Sequence, residues 1–562
     1  RSVDILGLPF ETPLEHKAIF YRGGNDIPNA RWIAKYQRET DVTDRFFTST
    51  VLSYDFNTNM SLSYKVGLDT YTERQNRMYN KGIGPAYGNI DRGVFQTQTL
   101  SNTIWNHDLI FSINKDITSD IHMLARVGGN ARNDYFVRDG IYSESQTVFG
   151  LFRHSNFQTA SSRSTAFDGR VFYRTSMQQR YGMYGDFSFD YKTFLFLNLA
   201  GRNDWSSTLE QGNNSLFYPS ASVSFVPTEA FSGLKSDKFN FLKLRFSYGT
   251  SAGFAPTYTT RNVVAQNLRG FINTAGTIVG EQTVSDQLGN SKLKAELQQE
   301  AELGFEAKFF NERLGIDFTV YNRTTRDLIT SAPIDPSTGF TSTYTNVGKL
   351  ENKGIEIGLT GTPLRMGPFE WNVIWNFTLV RPKVIDLGPD ISEVVLSGFT
   401  TLGNFAIPGR PMNIIKGSRS LVVPAGNGAE TGKRVVGTDG LYVADPNIGE
   451  IGDPNPVYLT TLINTLSYRG FSFSFQWDYR HGGKMFASTA NATIARGTTT
   501  DTDYNRDLLI ILPGSKIVST DATGVSTYAP NDRVQTASNY GFGTQFFSNE
   551  VAMFDVTTIR LR

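Results

Sequence analysis

Residues Phe471, Phe473, Phe475, Trp477 and Tyr479 alternate without a break with Ser472, Ser474, Gln476, Asp478 and Arg480. Strict period-two alternation puts one set on each face of a β-strand. The same pattern recurs along the chain. Met60, Leu62, Tyr64, Val66 and Leu68 share a face opposite Ser61, Ser63, Lys65, Gly67 and Asp69. Ile316, Phe318 and Val320 alternate with Asp317, Thr319 and Tyr321, and Ile355, Ile357 and Leu359 with Glu356, Gly358 and Thr360. Trp371, Val373, Trp375, Phe377 and Leu379 alternate with Asn372, Ile374, Asn376 and Thr378. Helical periodicity is hard to find. The pattern predicts fifteen strands, at 45–56, 60–70, 103–114, 121–131, 180–191, 194–205, 216–226, 240–249, 298–309, 313–324, 352–362, 369–380, 459–468, 471–480 and 551–562.

The connections between these strands carry more information than the strands. They alternate in length, short at 57–59, 115–120, 192–193, 310–312, 363–368 and 469–470, and long at 71–102, 132–179, 250–297, 325–351, 381–458 and 481–550. One end of the sheet therefore has tight turns and the other has large loops, the arrangement of an outer-membrane barrel with periplasmic turns and extracellular loops. Ten residues at a rise of ~3.3 Å and a tilt of ~45° span roughly 23 Å, close to the ~25 Å apolar band of such barrels. A soluble sandwich rarely keeps so many long strands with large loops on one side only. The expected fold is an all-β, large antiparallel transmembrane β-barrel. In that frame residues 1–44 read as an extracellular loop that needs an earlier strand. Fifteen is odd where such barrels are even, and Arg562 is a poor end for a membrane strand. Both ends are expected to lie inside a longer polypeptide.

Composition narrows the function. The 562 residues carry 54 Lys+Arg against 53 Asp+Glu, so a net charge of +1 points to no polyanionic partner and no nucleic acid. Aromatics reach 13 %, and 52 Gly accompany a hydrophobic content of only 39 %, which suits β-structure with wet surfaces. With 0 Cys there are no disulfides, thiolate metal sites or cysteine nucleophiles. No apolar run approaches the ~20 residues of a membrane helix, and the start, "RSVDILGLPF", lacks the apolar stretch of a signal peptide.

Candidate chemistry is sparse. Asp501, Asp503, Asn505 and Asp507 are spaced like half of a calcium loop, but Arg506 and Leu512 stand where Gly and Glu are required. "GNGAETGKR" (426–434) fails the phosphate-loop spacing and ends in Arg434 instead of Ser or Thr. His16, His107, His122, His154 and His481 form no metal-like pair. No catalytic, metal or cofactor role is expected, and the chain does not read as an enzyme. The functional lead is a set of aromatics assigned to the long loops: Tyr79, Tyr87, Phe95, Tyr135, Phe136, Tyr142, Phe149, Phe152 and Phe157. Such rings can stack on sugars or bury apolar peptide side chains, or simply pack one loop on another.

Several stretches resemble the SusC/RagA-like family of TonB-dependent outer-membrane transporters of Bacteroidota. "IGDPNPVYLTTLINTLSYRGFSFSFQWDYRHGGKMF" (451–486) is similar to a late family segment, with Gly452, Asp453, Pro454, Asn455 and Pro456 in its turn and Asp478, Arg480, Gly482 and Gly483 at its end. "LKAELQQEAELGFEAKFFNERLGIDFTVYNRTTRDLI" (293–329), "NVGKLENKGIEIGL" (346–359), "LKLRFSYGTSAG" (242–253), "LFYPSASVSFV" (216–226), "RDLLIILPG" (506–514) and "FDVTTIRLR" (554–562) also fit, in order. The likeness covers most of 180–562 and is looser before it.

The resemblance implies a 22-stranded barrel, seen here through about fifteen strands, without the N-terminal plug, the TonB box or the last strands. It implies outer-membrane import of oligomeric nutrients, glycans or peptides, with a SusD-like surface lipoprotein and with TonB. A scaffold or docking barrel and a passive porin are the alternatives. Phe471, Phe473, Phe475, Trp477 and Tyr479 are expected to face outer-membrane lipid, with Trp477 and Tyr479 near the outer headgroups. Ser472, Ser474, Gln476, Asp478 and Arg480 are expected to face the lumen.

Overall fold

The computed structural model describes residues 7–21, 29–84, 90–161, 173–272, 274–388, 391–494, 499–500, 503–505, 507–537 and 548–562. Fifteen strands form an unbroken wall: β1 (Gln37–Asn57), β2 (Met60–Tyr79), β3 (Val94–Asp116), β4 (Ile121–Gln146), β5 (Arg174–Tyr191), β6 (Leu195–Ser206), β7 (Ser215–Phe225), β8 (Phe239–Gly253), β9 (Glu296–Phe309), β10 (Leu314–Arg326), β11 (Lys349–Met366), β12 (Phe369–Asp386), β13 (Tyr458–Tyr468), β14 (Phe471–His481) and β15 (Thr558–Leu561). Each pairs antiparallel with the next in sequence. A short extra strand, Phe157–Ser161, pairs with the top of β4. The first fourteen expected strands are present in this order and the fifteenth in part, and the helices, such as Ala30–Tyr36 and Ser488–Ile494, are short.

The tight turns sit where the alternation stops. Arg469 (φ 44°) and Gly470 (φ 88°) both take positive φ between Tyr468 and Phe471, as do Lys192 (φ 48°) and Thr193 (φ 60°) between β5 and β6. Two successive positive-φ residues are what a type I′ hairpin requires, and its twist matches that of the strands it joins.

Three expectations are corrected. Residues 37–44, expected in a loop, continue β1 and pair with β2 up to Gln37↔Tyr79. There the ladder is held by polar pairs, with Arg74 donating to Asp44 at 2.5 Å and Asn76 to Thr40 at 3.3 Å. Because both faces are polar, alternation cannot report the strand. Likewise β3 and β4 run on to Val94 and Gln146, so Tyr79, Phe95, Tyr135, Phe136 and Tyr142 stand on strands and not in loops. Finally, the strand expected at 551–562 is broken. Met553–Asp555 turns away to pair with Lys484–Phe486, and only Thr558–Leu561 joins the wall. Asp555 accepts from the Thr557 amide at 2.7 Å, and the Val556 amide bonds Gly483 at 2.9 Å, which fixes the break.

The long connections fold on themselves. Val394–Phe399, Leu402–Ala406, Ile414–Gly417 and Gly449–Gly452 make a small sheet, and Val435–Val436 runs parallel to Ser515–Thr520 from the next connection. Of the largest fully buried side chains, Phe405, Leu293 and Ile414 lie in these connections and Trp32 in the short helix before β1. The wall, by contrast, exposes large apolar side chains along its length, so the usual inside-apolar arrangement is inverted there.

Candidate functional site

The two faces of the wall can be followed through the register. Phe473, Phe475 and Trp477 lie opposite Leu466, Asn464 and Leu462 of β13, and Leu462 and Leu466 lie opposite Trp375 and Trp371 of β12. Phe471 is 82 % exposed and Phe473 62 %, with the Phe473 and Phe475 rings 5.7 Å apart. The one polar side chain on this stretch, Asn464, accepts from the Trp371 indole at 3.2 Å. Ser474, Gln476 and Asp478 are on the opposite face with Thr465, Ile463 and Thr461. Asp478 accepts from Thr461 at 3.0 Å and Gln476 at 2.7 Å and pairs with Arg562 at 3.0 Å. Arg480 donates to the Pro454 carbonyl at 2.9 Å, tying the strand to the Asp453–Pro456 turn.

The polar face is dense with charge where β8 to β11 meet. Arg245 on β8 reaches across β9 to fork on Asp317 of β10, at 3.0 and 2.5 Å, and also donates to Thr319 at 2.5 Å. It can do so because Gly304 on β9 has no side chain; a Cβ there would come within 2.8 Å of the Arg245 Nε. Arg323 pairs with Glu300 on the same face. The Tyr321 ring lies over Gly354 in the same manner, 2.2 Å from where a Cβ would be. Glycines thus let long side chains lie flat along the polar face, and they are spread over separate strands, so the sequence alone does not show it.

At the rim, the aromatics divide by environment. Phe95 is 9 % exposed and packs against His154, Phe152 and Phe157, with centroids 4.5, 5.9 and 6.1 Å away. Phe149 lies 5.0 Å from both His16 and Tyr36. Tyr79 donates to Glu39. Tyr135 is exposed and sits on the apolar face, opposite Thr103 and Met177, while Phe136 is half-buried on the other. Tyr87, Asp501 and Arg506 lie outside the described residues.

The residues before β1 are clamped to this rim. Glu11 accepts from Lys35 at 2.8 Å, from Tyr36, and faces His16 at 3.2 Å. The Lys35 and Tyr36 bonds hold its carboxyl down at about 2. Trp32, fully buried, donates to the His16 carbonyl at 2.7 Å.

Two features at the rim escaped the sequence reading. Arg138, 2 % exposed, forks on Gln98 at 3.2 and 2.9 Å near the equally buried Gln96, an assembly made from separate strands with no sequence spacing of its own. A cleft of about 520 Å³ lies between the β6–β7 and β8–β9 connections, bordered by Ser207, Glu210, Thr257, Tyr258, Arg261 and Asn262. Arg261 forks on Glu210 with both contacts at 2.8 Å and holds that carboxyl at about 2. Tyr258 is in the left-handed region, φ 64°, a conformation that costs an L-residue of order 1–3 kcal/mol and collects at binding sites.

Comparison with known proteins places this architecture. The chain is 24 % identical over 508 residues to TonB-dependent receptor P26 of Formosa agariphila, covering 86 % of this chain and 48 % of that protein. It is 27 % identical over 202 residues to TonB-dependent receptor SusC of Bacteroides thetaiotaomicron, covering 34 % of this chain and 19 % of that one. The chain spans about half the length of the curated relatives it matches over most of its own. Its fold is similar to a chain in the structure of the RagAB peptide transporter, with TM-score 0.70 at 18 % identity over 85 % of this chain and 52 % of that one. Residues 6–435 match the family described as "TonB dependent receptor-like, beta-barrel". The two-faced antiparallel wall is therefore the barrel of this family, and the chain belongs to the TonB-dependent receptor-like β-barrels.

Proposed function

We propose that this chain is barrel wall of an outer-membrane importer that takes up oligomeric nutrients, glycans or peptides, with a SusD-like surface lipoprotein and with energy from TonB. The observation that carries the reading is the wall itself, a continuous antiparallel sheet of the TonB-dependent receptor family with one exposed apolar face and one charged face. In this reading the Phe471–Tyr479 face meets lipid, because a belt of exposed Phe, Trp and Leu needs a non-aqueous neighbour. Ser472 to Arg480 and the Arg245–Asp317 and Arg323–Glu300 pairs line the lumen. They keep it wet, and they offer hydrogen bonds to a plug of the kind that import requires.

The substrate side is the rim. The cleft with Tyr258, the Arg261–Glu210 fork and several hydroxyls presents one ring face and many polar groups, a combination suited to an oligomer carrying hydroxyl or amide groups. Tyr79, Phe95, Phe149 and Phe152 shape the mouth by packing, and exposed Tyr135 is left for contact with lipid or a partner. Import needs a plug and TonB box; a barrel of this width with neither is a pore. Purifying the natural full-length protein from its own membrane and identifying companions by mass spectrometry tests the reading. A co-purifying surface lipoprotein and a bound oligomer are expected. A solitary barrel, or deletion of the gene with no effect on oligomer uptake, favours the docking-barrel or porin alternative and overturns it.

A further inference from the structure

The apolar face is not uniform. Where β2 to β6 lie side by side, Gly129 and Ala131 form the floor of a dent of about 410 Å³ flanked by Tyr64 and His107 on one side and Met183 and Trp205 on the other. Two successive glycines on β4 make the point. Gly128, on the polar face, is filled by the Tyr184 ring, 2.5 Å from where its Cβ would be, whereas a Cβ at Gly129 would meet only the Gly182 carbonyl at 3.9 Å. The protein fills one space itself and leaves the other open.

The dent also carries an ionisable side chain. His107 lies opposite Val66 and Ala131, in line with Trp105 and Leu109 on the apolar side. Its Nδ1 is 2.7 Å from the Tyr64 hydroxyl, and its ring stacks with Trp105 at 6.1 Å. An ionisable ring turned toward lipid is costly to keep and calls for a partner. With Nδ1 engaged by Tyr64, Nε2 is the atom that can meet a ligand oxygen. On β3 to β6 the lining of the dent stands about seven to ten residues above the tight turns, roughly 20 Å at ~2.3 Å axial rise per residue and near the upper border of a ~25 Å apolar band, while Tyr64 on β2 stands four residues above its own turn.

We propose that this dent seats one acyl chain of an outer-leaflet membrane lipid, with His107 and Tyr64 hydrogen-bonding a polar oxygen at the head of that chain. The proposal rests on the apolar face being the lipid face. The occupant follows from continuity with that face, from the open floor at Gly129, and from the paired polar atoms of His107 and Tyr64 at its edge.

The test uses the full-length protein in nanodiscs of phosphatidylethanolamine with a diazirine on one acyl chain, irradiated and mapped by peptide mass spectrometry. Met183 and Leu109 are expected to be labelled at least about three-fold more than Phe473 and Leu62. Gly129→Leu and, independently, Ala131→Leu are expected to abolish that excess and leave Phe473 labelling unchanged. The pair Tyr64→Phe and His107→Phe, which keeps ring volume and removes the polar atoms, is expected to halve the excess or more. Equal labelling at Met183 and Phe473, an excess that survives both filled variants, or no effect of the ring variants overturns the seat while the lipid face stands. Absence of label from Leu62, Phe473 and Met183 alike overturns the lipid face, and the seat with it.

Discussion

The first four strands and the last few of the wall begin alike and end differently. β3 and β4 are 23 and 26 residues long, enough for roughly 50–60 Å at the usual tilt, whereas β13 and β14 stop at 11, roughly 26 Å. Above the apolar band the first region simply continues its ladder, stitched by Arg74–Asp44 and Asn76–Thr40 and roofed by the Phe95 and Phe149 aromatic clusters. The last region ends its ladder chemically. Pro454 and Pro456 lack the amides a ladder needs, and Gly482 and Gly483 take φ of 75° and 92°. The chain then hands over to small interlocked sheets. The comparison teaches that one architecture builds its rim in two ways, by extending strands or by folding loops into a separate layer.

If the regions are separate layers on a common wall, damage to one should not spread to the other. The largest effect is expected at Trp32, whose side chain is fully buried under the first region. Trp32→Ala should cost about 3–5 kcal/mol locally, seen as new proteolytic cuts within residues 7–21 and 29–36 with the wall intact; melting of the wall itself would erase the distinction. Next comes Leu512, packed with Val436 and Tyr442 in the interlocked layer. Leu512→Ala should cost about 2–4 kcal/mol and raise amide exchange in 434–442 and 509–536 while β1 to β4 keep their protection. Asn549 accepts from the Ser418 amide and hydroxyl, both at 2.9 Å, and so pins one long connection to another. Asn549→Ala should cost about 1–3 kcal/mol and loosen the same layer, read by the same exchange experiment.

The smallest effect is a pH dependence confined to the first region. Glu11 titrates at about 2 in the folded rim against an ordinary 4.5, because Lys35, and then Tyr36, favour its ionised form. A depressed carboxylate stabilises fully above its unfolded value and loses that contribution as pH falls through the folded one. Proteolytic protection of residues 7–21 and 29–36 should therefore fall as pH drops from about 4.5 to 2. Glu11→Gln should abolish that fall; an unchanged acid profile in the variant would assign it to other groups.

The sequence reveals the wall wherever its two faces differ in polarity. Phe471 to Arg480 and Met60 to Asp69 are visible for that reason, and the short turns follow from where alternation stops. It hides what lies above the band, where Glu39, Asp44, Arg74 and Asn76 are polar on either face and period two carries no signal. It also hides the break at Val556, set by Asp555 and Gly483 from segments far apart in the chain. The candidate site was legible only as residue types. Phe95, Phe149 and Phe152 stand out as aromatic, but their packing on His154, His16 and Tyr36 depends on pairings between distant segments. The Arg245–Gly304–Asp317 crossing and the Arg261–Glu210 fork arise in the same way.

The central claim is that the two faces of β14 meet two media. With 0 Cys among these 562 residues, this part of the protein adds no background to single cysteines placed at 471 to 480 and spin-labelled in liposomes of the full-length protein. The account predicts that labels at Phe471, Phe473 and Phe475 collide with oxygen dissolved in lipid. Labels at Ser472, Ser474 and Gln476 should collide with a water-soluble nickel complex, giving a two-residue oscillation along the strand. Equal accessibility to both reagents at neighbouring positions, or a Phe473 label shielded from both, would contradict it.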